Sequence, residues 1–513
     1  MKRSIYQVFL FSLIMGIALS ACAPVPAKET GKPAETQNTE INNEPINLTI
    51  VIRHIGFTKD NNNMIAQELN KRMNMNINWE LKPSEQYPQQ CTILIASGNY
   101  PDAMEYWSSQ YPNELQQMAD DRVIRPLDDL ITKYGQEFTE EVRPDFTWFK
   151  SSTDGLRYTI PTRYQETLNN SVLQIRSDWL EKLNLKVPDT SDEMFEALTA
   201  FMENSDMLVG KGNQLIPYGG IQNWGLGLQQ HIFSENGFVA DWNLVDGKVV
   251  YYVNMPGYKE ALRTMRKFYQ NGLIEPEYPL MNREQYLEKW YQNKYGSWQN
   301  YVDNLDPVSH VYMPIYISAV PEAEMEFIYP FPDRNGVRRI KGNVMKYHAV
   351  IFAETPDDKA AAVVKLMNYM VSEEGSDLVE MGIKDVHWKE DETGKAIFEA
   401  PSTNEEKGKI GFYSYNWFSK RWYFPRWNSD ITLNTGKEYA QYAVIPPVNA
   451  TTPEALANGA VLSDIVSTSE TELICSASIT DFDAAFDAYV KQWNDSGGKQ
   501  WTAEMNDVYN QNK

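Results

Sequence analysis

INLTIVIRHIGFTKDNNNMIAQELNKRMNMNINWEL, residues 46–81, decides the fold class. Ile46–Ile52 is a β-branched run suited to a buried strand. Over residues 61–73, Ile65, Leu69 and Met73 recur at helical spacing, and Asn76–Leu81 reads as a second strand. A β-α-β unit of this kind predicts a parallel sheet with right-handed crossovers. The pattern recurs outward. A helix around Glu85–Ser97 stops at Gly98, and a short strand Asp102–Tyr106 follows. Thr190 with Glu193 predicts a capping box for a helix over 191–203. Residues 254–271 place Leu262, Met265 and Tyr269 inward before Gly272, and Thr355-Pro356 opens a helix with Val363, Met367 and Met370 on one face. Near the end, Phe482, Phe486, Tyr489, Val490 and Trp493 form an apolar stripe before Gly497-Gly498. No short tandem repeat recurs, which argues against solenoids and propellers.

The chain has 513 residues, room for two to four domains at roughly 100–200 residues each. It is 42% hydrophobic and 23% charged, a globular composition. Acidic residues outnumber basic ones 69 to 47, and the net charge of −22 disfavours a nucleic-acid partner. Three Cys and five His exclude a disulfide scaffold or a Cys/His-rich metal protein. Lys2 and Arg3 precede an apolar run from Val8 to Ala18, too short for a spanning helix. The run ends in Leu19-Ser-Ala-Cys22, which resembles the lipobox of bacterial lipoproteins. That resemblance implies a signal peptide over 1–21, cleavage before Cys22, and lipidation of Cys22, palmitate included. An ordinary secretory signal is the alternative. Residues 22–45 carry few large apolar side chains and read as a lipid-anchored flexible linker. Cys91 and Cys475 either pair or stay as buried thiols.

Nine segments, in order, resemble the extracellular solute-binding proteins of bacterial ABC importers, in the large lipoprotein branch associated with oligosaccharides. They begin with Ala96-Ser-Gly-Asn-Tyr-Pro-Asp102, Ile124-Arg-Pro-Leu-Asp-Asp-Leu130, Asp154-Gly-Leu-Arg-Tyr-Thr-Ile-Pro161 and Arg176-Ser-Asp-Trp-Leu-Glu-Lys-Leu183. They continue through Asp246-Gly-Lys-Val-Val-Tyr251, Tyr258-Lys-Glu-Ala-Leu262, Tyr269-Gln-Asn-Gly-Leu273, Ser372-Glu-Glu-Gly375 and Gly382-Ile-Lys-Asp-Val-His387. The resemblance implies an α/β fold of two lobes, like that of periplasmic binding proteins, with a hinge and an interlobe cleft. Residues 46–165 with 306–388 are expected to form lobe I, and 166–305 with 389–513 lobe II. Crossings are expected near 161–170, 298–310 and 385–395. Many relatives carry a calcium loop where this chain has Asp206–Pro217. Here Leu208 and Gly210 stand in place of oxygen donors, so no metal is expected. Asp241–Asp246 also spaces oxygens but reads as a turn.

The sequence contains no H-E-x-x-H, no Gly-Lys followed by Ser or Thr, and no G-x-S-x-G. No cofactor is expected. Binding is better supported, because sugars present C–H faces to aromatic rings and hydroxyls to planar polar side chains. In open α/β sheets such ligands lie at the carboxyl ends of strands. Arg53 and His54 follow the first strand, and Tyr106 and Trp107 end a later one. Arg163 and Tyr164 stand at a crossing, with Trp224 in a Gly-flanked segment, Trp298 at a strand end and Trp388 near the third crossing. These nine are the candidate ligand-binding residues. The aromatic tract 412–427 reads as either a stacking wall or a loop over a core. The expected protein is a monomeric receptor that is not an enzyme. It would be anchored by lipid on the extracellular face of the cell membrane and would deliver an oligosaccharide to ABC-importer permease subunits. A secreted lipoprotein glycosidase or lyase, and a receptor for peptides or other non-sugar solutes, remain the alternatives.

Overall fold

The computed structural model describes residues 44–54, 60–83, 87–107, 113–138, 149–151, 153–162, 171–221, 227–302, 312–342, 347–398, 404–412, 414–415, 418, 429–448, 450 and 452–511. Strands β1 (Ile46–His54), β2 (Met75–Pro83), β3 (Ala103–Trp107) and β4 (Thr159–Pro161) come first. There follow β5 (Ser171–Arg176), β6 (Ile216–Gly219), β7 (Trp242–Val245), β8 (Lys248–Tyr251), β9 (Tyr295–Tyr301), β10 (Met325–Ile328), β11 (Ile340–Lys341) and β12 (Tyr347–Ile351).

The β-α-β reading of residues 46–81 holds: β1 and β2 pair in parallel with Ile46 opposite Met75. The helix between them, Met64–Met73, is capped by Asn63, whose side chain accepts from the Ala66 N–H. β1 sends Leu48, Ile50 and Ile52 to one side of its sheet and Val51 to the other. This sheet has the order β2-β1-β3-β12-β4, with β12 antiparallel to both neighbours. The helix Asp357–Val371 covers one side, burying Val363, Met367 and Met370 beside Trp79.

A second sheet has the order β10-β5-β9-β6. Its larger core holds Trp179, Phe201, Leu262 and Phe268 together with Leu473, Phe486, Tyr489 and Trp493 from the C-terminal helices. Arg266 ties those helices down by donating to the carbonyls of Leu473, Ser476 and Ile479 at 2.8, 2.9 and 2.9 Å. Thr190 caps its helix by accepting from Glu193 N–H, but the Glu193 carboxylate accepts from Asp189 rather than closing the box. The Asp241–Asp246 stretch, read as a turn, is instead mostly strand β7, and the turn lies at its end, where Asp246 and Gly247 at φ 49° and 77° join β7 to β8. Leu208, at the position where a calcium loop needs an oxygen, packs into this core instead. Cys91 and Cys475 do not pair, and burial pushes the Cys91 thiol up to about 12.

The chain's allotment to the two sheets departs from the expected boundaries. Within 306–388, β10 pairs with β5, whereas β12 pairs with β3 and β4. Conversely, Ile410, Phe412, Tyr415 and Phe418, expected with lobe II, complete the core beside Trp79 in the first sheet. The crossing expected at 161–170 falls on residues mostly outside those described, after β4 of the first sheet and before β5 of the second. The one near 298–310 gives way to a passage between β11 and β12, because Met313 and Tyr316 still pack with Trp298. The one near 385–395 gives way to a passage between Phe418 and Tyr439, which lie in the cores of different sheets. No helix among the described residues is long and apolar enough to cross a membrane.

Candidate functional site

Strand direction selects the edges that the connections share. β1 and β3 run parallel and β12 opposes β3, with Tyr347 opposite Trp107 and His348 opposite Pro161. The carboxyl ends of β1, β3 and β4 and the start of β12 therefore lie on one edge of the first sheet. In the second sheet Ser171 faces Tyr301, which brings the start of β5 beside the carboxyl end of β9. β6 runs parallel to β9, so Gly219 lies at that end too.

At the first edge Arg53 and Glu105 form a buried pair. The Arg53 backbone N–H donates to Glu105 Oε2 at 3.1 Å, and its Nη2 lies 3.3 Å from Oε1. The guanidinium sits 5.0 Å over the Trp107 ring. Trp107 and His54 are half-buried. Beneath them, His348 Nδ1 lies 2.9 Å from Thr159 Oγ1, and burial holds the imidazole down at about 3. Thr162 is 1% exposed, and its hydroxyl has no hydrogen-bond partner among the described residues. At the second edge Gln174, Gln299 and Asn300 are buried amides.

Arg53, His54 and Trp107 thus come together as expected, and Tyr106 adjoins them in sequence but not in role. Its ring is fully buried, and its hydroxyl donates to Glu114. Trp298 is a correction. It is fully buried, with ring centroids 5.6 Å from Trp290 and 5.5 Å from Tyr316, so it fills a core rather than presenting a face. Trp388 is another, packed with Met381 and Ala396 and donating its indole N–H to Gly382 O at 3.1 Å. Arg163, Tyr164, Trp224 and Cys22 lie outside the described residues, as does most of the aromatic tract. Sequence reasoning missed Glu105 and His348. The signal was present, since a charged or titratable side chain within a buried strand requires a partner.

Two of the buried imidazoles, His231 and His348, make a test of pH dependence. Burial holds His231 at about 4 and His348 at about 3, well below the unfolded value near 6.5. The unfolded chain therefore binds the proton first. Their contribution is complete above pH 6.5 and is lost as the pH falls, by about 3 kcal/mol each at pH 4. Urea unfolding followed from pH 7 to 4 checks this: His348→Gln should flatten the slope, and an unchanged slope contradicts it.

Residues 64–378 match the family of bacterial extracellular solute-binding proteins. The chain belongs to that family. Among curated members, this solute-binding chain is 28% identical over 249 residues to the fructooligosaccharide ABC transporter substrate-binding protein FusA of Streptococcus pneumoniae, 46% of either chain. It is 27% identical over 252 residues to the polygalacturonan/rhamnogalacturonan-binding protein YtcQ of Bacillus subtilis, 47% of either chain. It thus spans about half the length of these two relatives. The structure of S. pneumoniae FusA in complex with kestose superposes with a TM-score of 0.68 at 20% identity, covering 91% of this chain and 99% of that one. The solute-binding chain therefore has the two-lobe α/β fold.

Proposed function

We propose that the chain is a receptor of an ABC importer, capturing an oligosaccharide outside the cell and passing it to membrane permease subunits without covalent change. It would act as a monomer held to the membrane by lipid on Cys22. One observation carries this reading. The carboxyl-end edge of the first sheet carries an indole beside a buried guanidinium, and the second sheet carries buried amides, the groups a polyol asks for. The family and the sugar-binding relatives support it. A ligand touching both edges favours closure only by its extra contacts in the closed arrangement. A glycosidase would need two carboxylates set for acid and nucleophile or base work. Glu105, on the first edge, and Glu275, beside β6, are each held by a cation, Arg53 and Lys289 respectively.

A thermal-shift panel of glycans and peptides tests the reading. A bound oligosaccharide at about 100 times its Kd should add about 2.7 kcal/mol to stability. Shifts with peptides alone would replace the ligand class, and release of new reducing ends from any glycan would replace the receptor by an enzyme.

A further inference from the structure

The sequence holds four Asn-Gly pairs: Asn236-Gly237, Asn271-Gly272, Asn335-Gly336 and Asn458-Gly459. In such a pair the glycine nitrogen, screened by no Cβ, can attack the asparagine side-chain amide. Local sequence makes the four alike, and the fold makes them different. Asn236 follows the helix Gly227–Glu235, and its Nδ2 donates to Ile232 O at 2.8 Å. Asn271 follows the helix Tyr258–Gln270, and its Nδ2 donates to Lys267 O at 2.8 Å. Asn458 lies inside the helix Pro453–Cys475, and its Nδ2 donates to Glu454 Oε1 at 2.7 Å. Each of these three amides is turned back along its helix, away from the glycine that follows.

Asn335 differs. Residues 334–337 are exposed, in a turn closed by the Gly336 N–H on Asp333 O at 2.8 Å and the Asp333 N–H on Val337 O at 2.9 Å. The Asn335 backbone N–H donates to Asp333 Oδ1 at 2.7 Å, but its side-chain amide makes no hydrogen bond among the described residues. The Gly237 and Gly272 N–H groups are bonded too, to Ser234 O at 2.9 Å and Tyr269 O at 3.0 Å. The difference therefore lies in the loose Asn335 amide and in the turn, since an exposed turn opens more readily than a packed helix.

We propose that Asn335 is a site of spontaneous deamidation, the one of the four Asn-Gly pairs that the fold leaves open to it. The Gly336 nitrogen gives its proton to hydroxide and bonds to Asn335 Cγ. The Cγ–Nδ2 bond breaks, and Nδ2 takes a proton from water and leaves as ammonia. Water then opens the cyclic imide at either carbonyl. One opening yields aspartate. The other yields isoaspartate, which routes the backbone through the former side chain and lengthens the turn by one methylene. Either product adds a negative charge to a chain already at −22. The inference stands apart from the receptor reading.

Incubating the full chain at mildly alkaline pH, with timed samples digested by pepsin in acid and weighed by mass spectrometry, tests this. The deamidated fraction should grow at least about tenfold faster at Asn335 than at any of the other three, which must each first give up a side-chain hydrogen bond and helical backbone. In urea that unfolds the chain, the lead of Asn335 should vanish. Asn335→Gln, whose longer side chain closes its ring far more slowly, should silence that peptide and leave the other three unchanged. Any other pair keeping pace with Asn335 in the folded chain overturns the inference. An equal lead in urea overturns it as well, by assigning the reactivity to local sequence. So does an intact Asn335 in the folded chain over a period in which the unfolded chain reacts fully.

Discussion

Glu105→Ala should lower the stability of the chain by about 3–5 kcal/mol, because it strips a buried guanidinium of its carboxylate. The Arg53 and Glu105 side chains are 6% and 0% exposed, so water does not replace the lost partner. Urea denaturation at pH 7 measures the loss, and Glu105→Gln should cost less because it keeps an acceptor for the Arg53 backbone N–H. The same substitution moves the cation that lies over Trp107, so the folded fraction should bind oligosaccharide more weakly than wild type. A loss of stability with no change in affinity would assign the pair to the scaffold alone. A change below about 1 kcal/mol would mean that the guanidinium finds water, contrary to its burial.

Trp298→Ala should be as costly, about 3–5 kcal/mol, for a different reason. The fully buried ring packs at a steep angle against Trp290 and Tyr316, which are themselves stacked at 4.7 Å with an 8° interplanar angle. Removing it leaves a cavity that neighbouring rings cannot close. In contrast to Glu105→Ala, the folded fraction should keep its affinity, since the indole touches core side chains. Titrating ligand into Trp298→Ala under conditions where it is mostly folded separates the two roles. Lost affinity at full folding would return Trp298 to the cleft.

The contrast between these tryptophans explains what could be read from the sequence. Local pattern was enough for the first β-α-β unit, because Ile50, Ile52 and Leu69 report their own burial through spacing. It put Arg53, His54 and Trp107 at one edge of the sheet, where the structure has them, because strand ends can be counted. It misplaced Trp298 because a strand end says nothing about which neighbour will cover a ring, and here Trp290 and Tyr316 arrive from other segments. The same limit moved the lobe boundaries. β10 is four residues long and carries no mark of the sheet it joins; only its pairing with β5 decides that. Glu105 was legible as a polar residue in a strand, yet its role depends on Arg53, a partner that sequence spacing does not reveal.

The aromatic cap over Trp79 bears on how the chain is made. Asn63 donates to the Tyr415 hydroxyl across 352 residues of sequence, and Trp79 lies 4.9 and 5.9 Å from the Tyr415 and Phe418 rings. Contacts this remote in sequence must wait on loop closure and slow folding. A nascent chain leaving the ribosome therefore exposes an indole in its first fifth that stays bare until most of the polypeptide has been synthesised. Completion of this core therefore comes late, and a truncated product ending before Tyr415 would present a sticky apolar surface to chaperones and proteases.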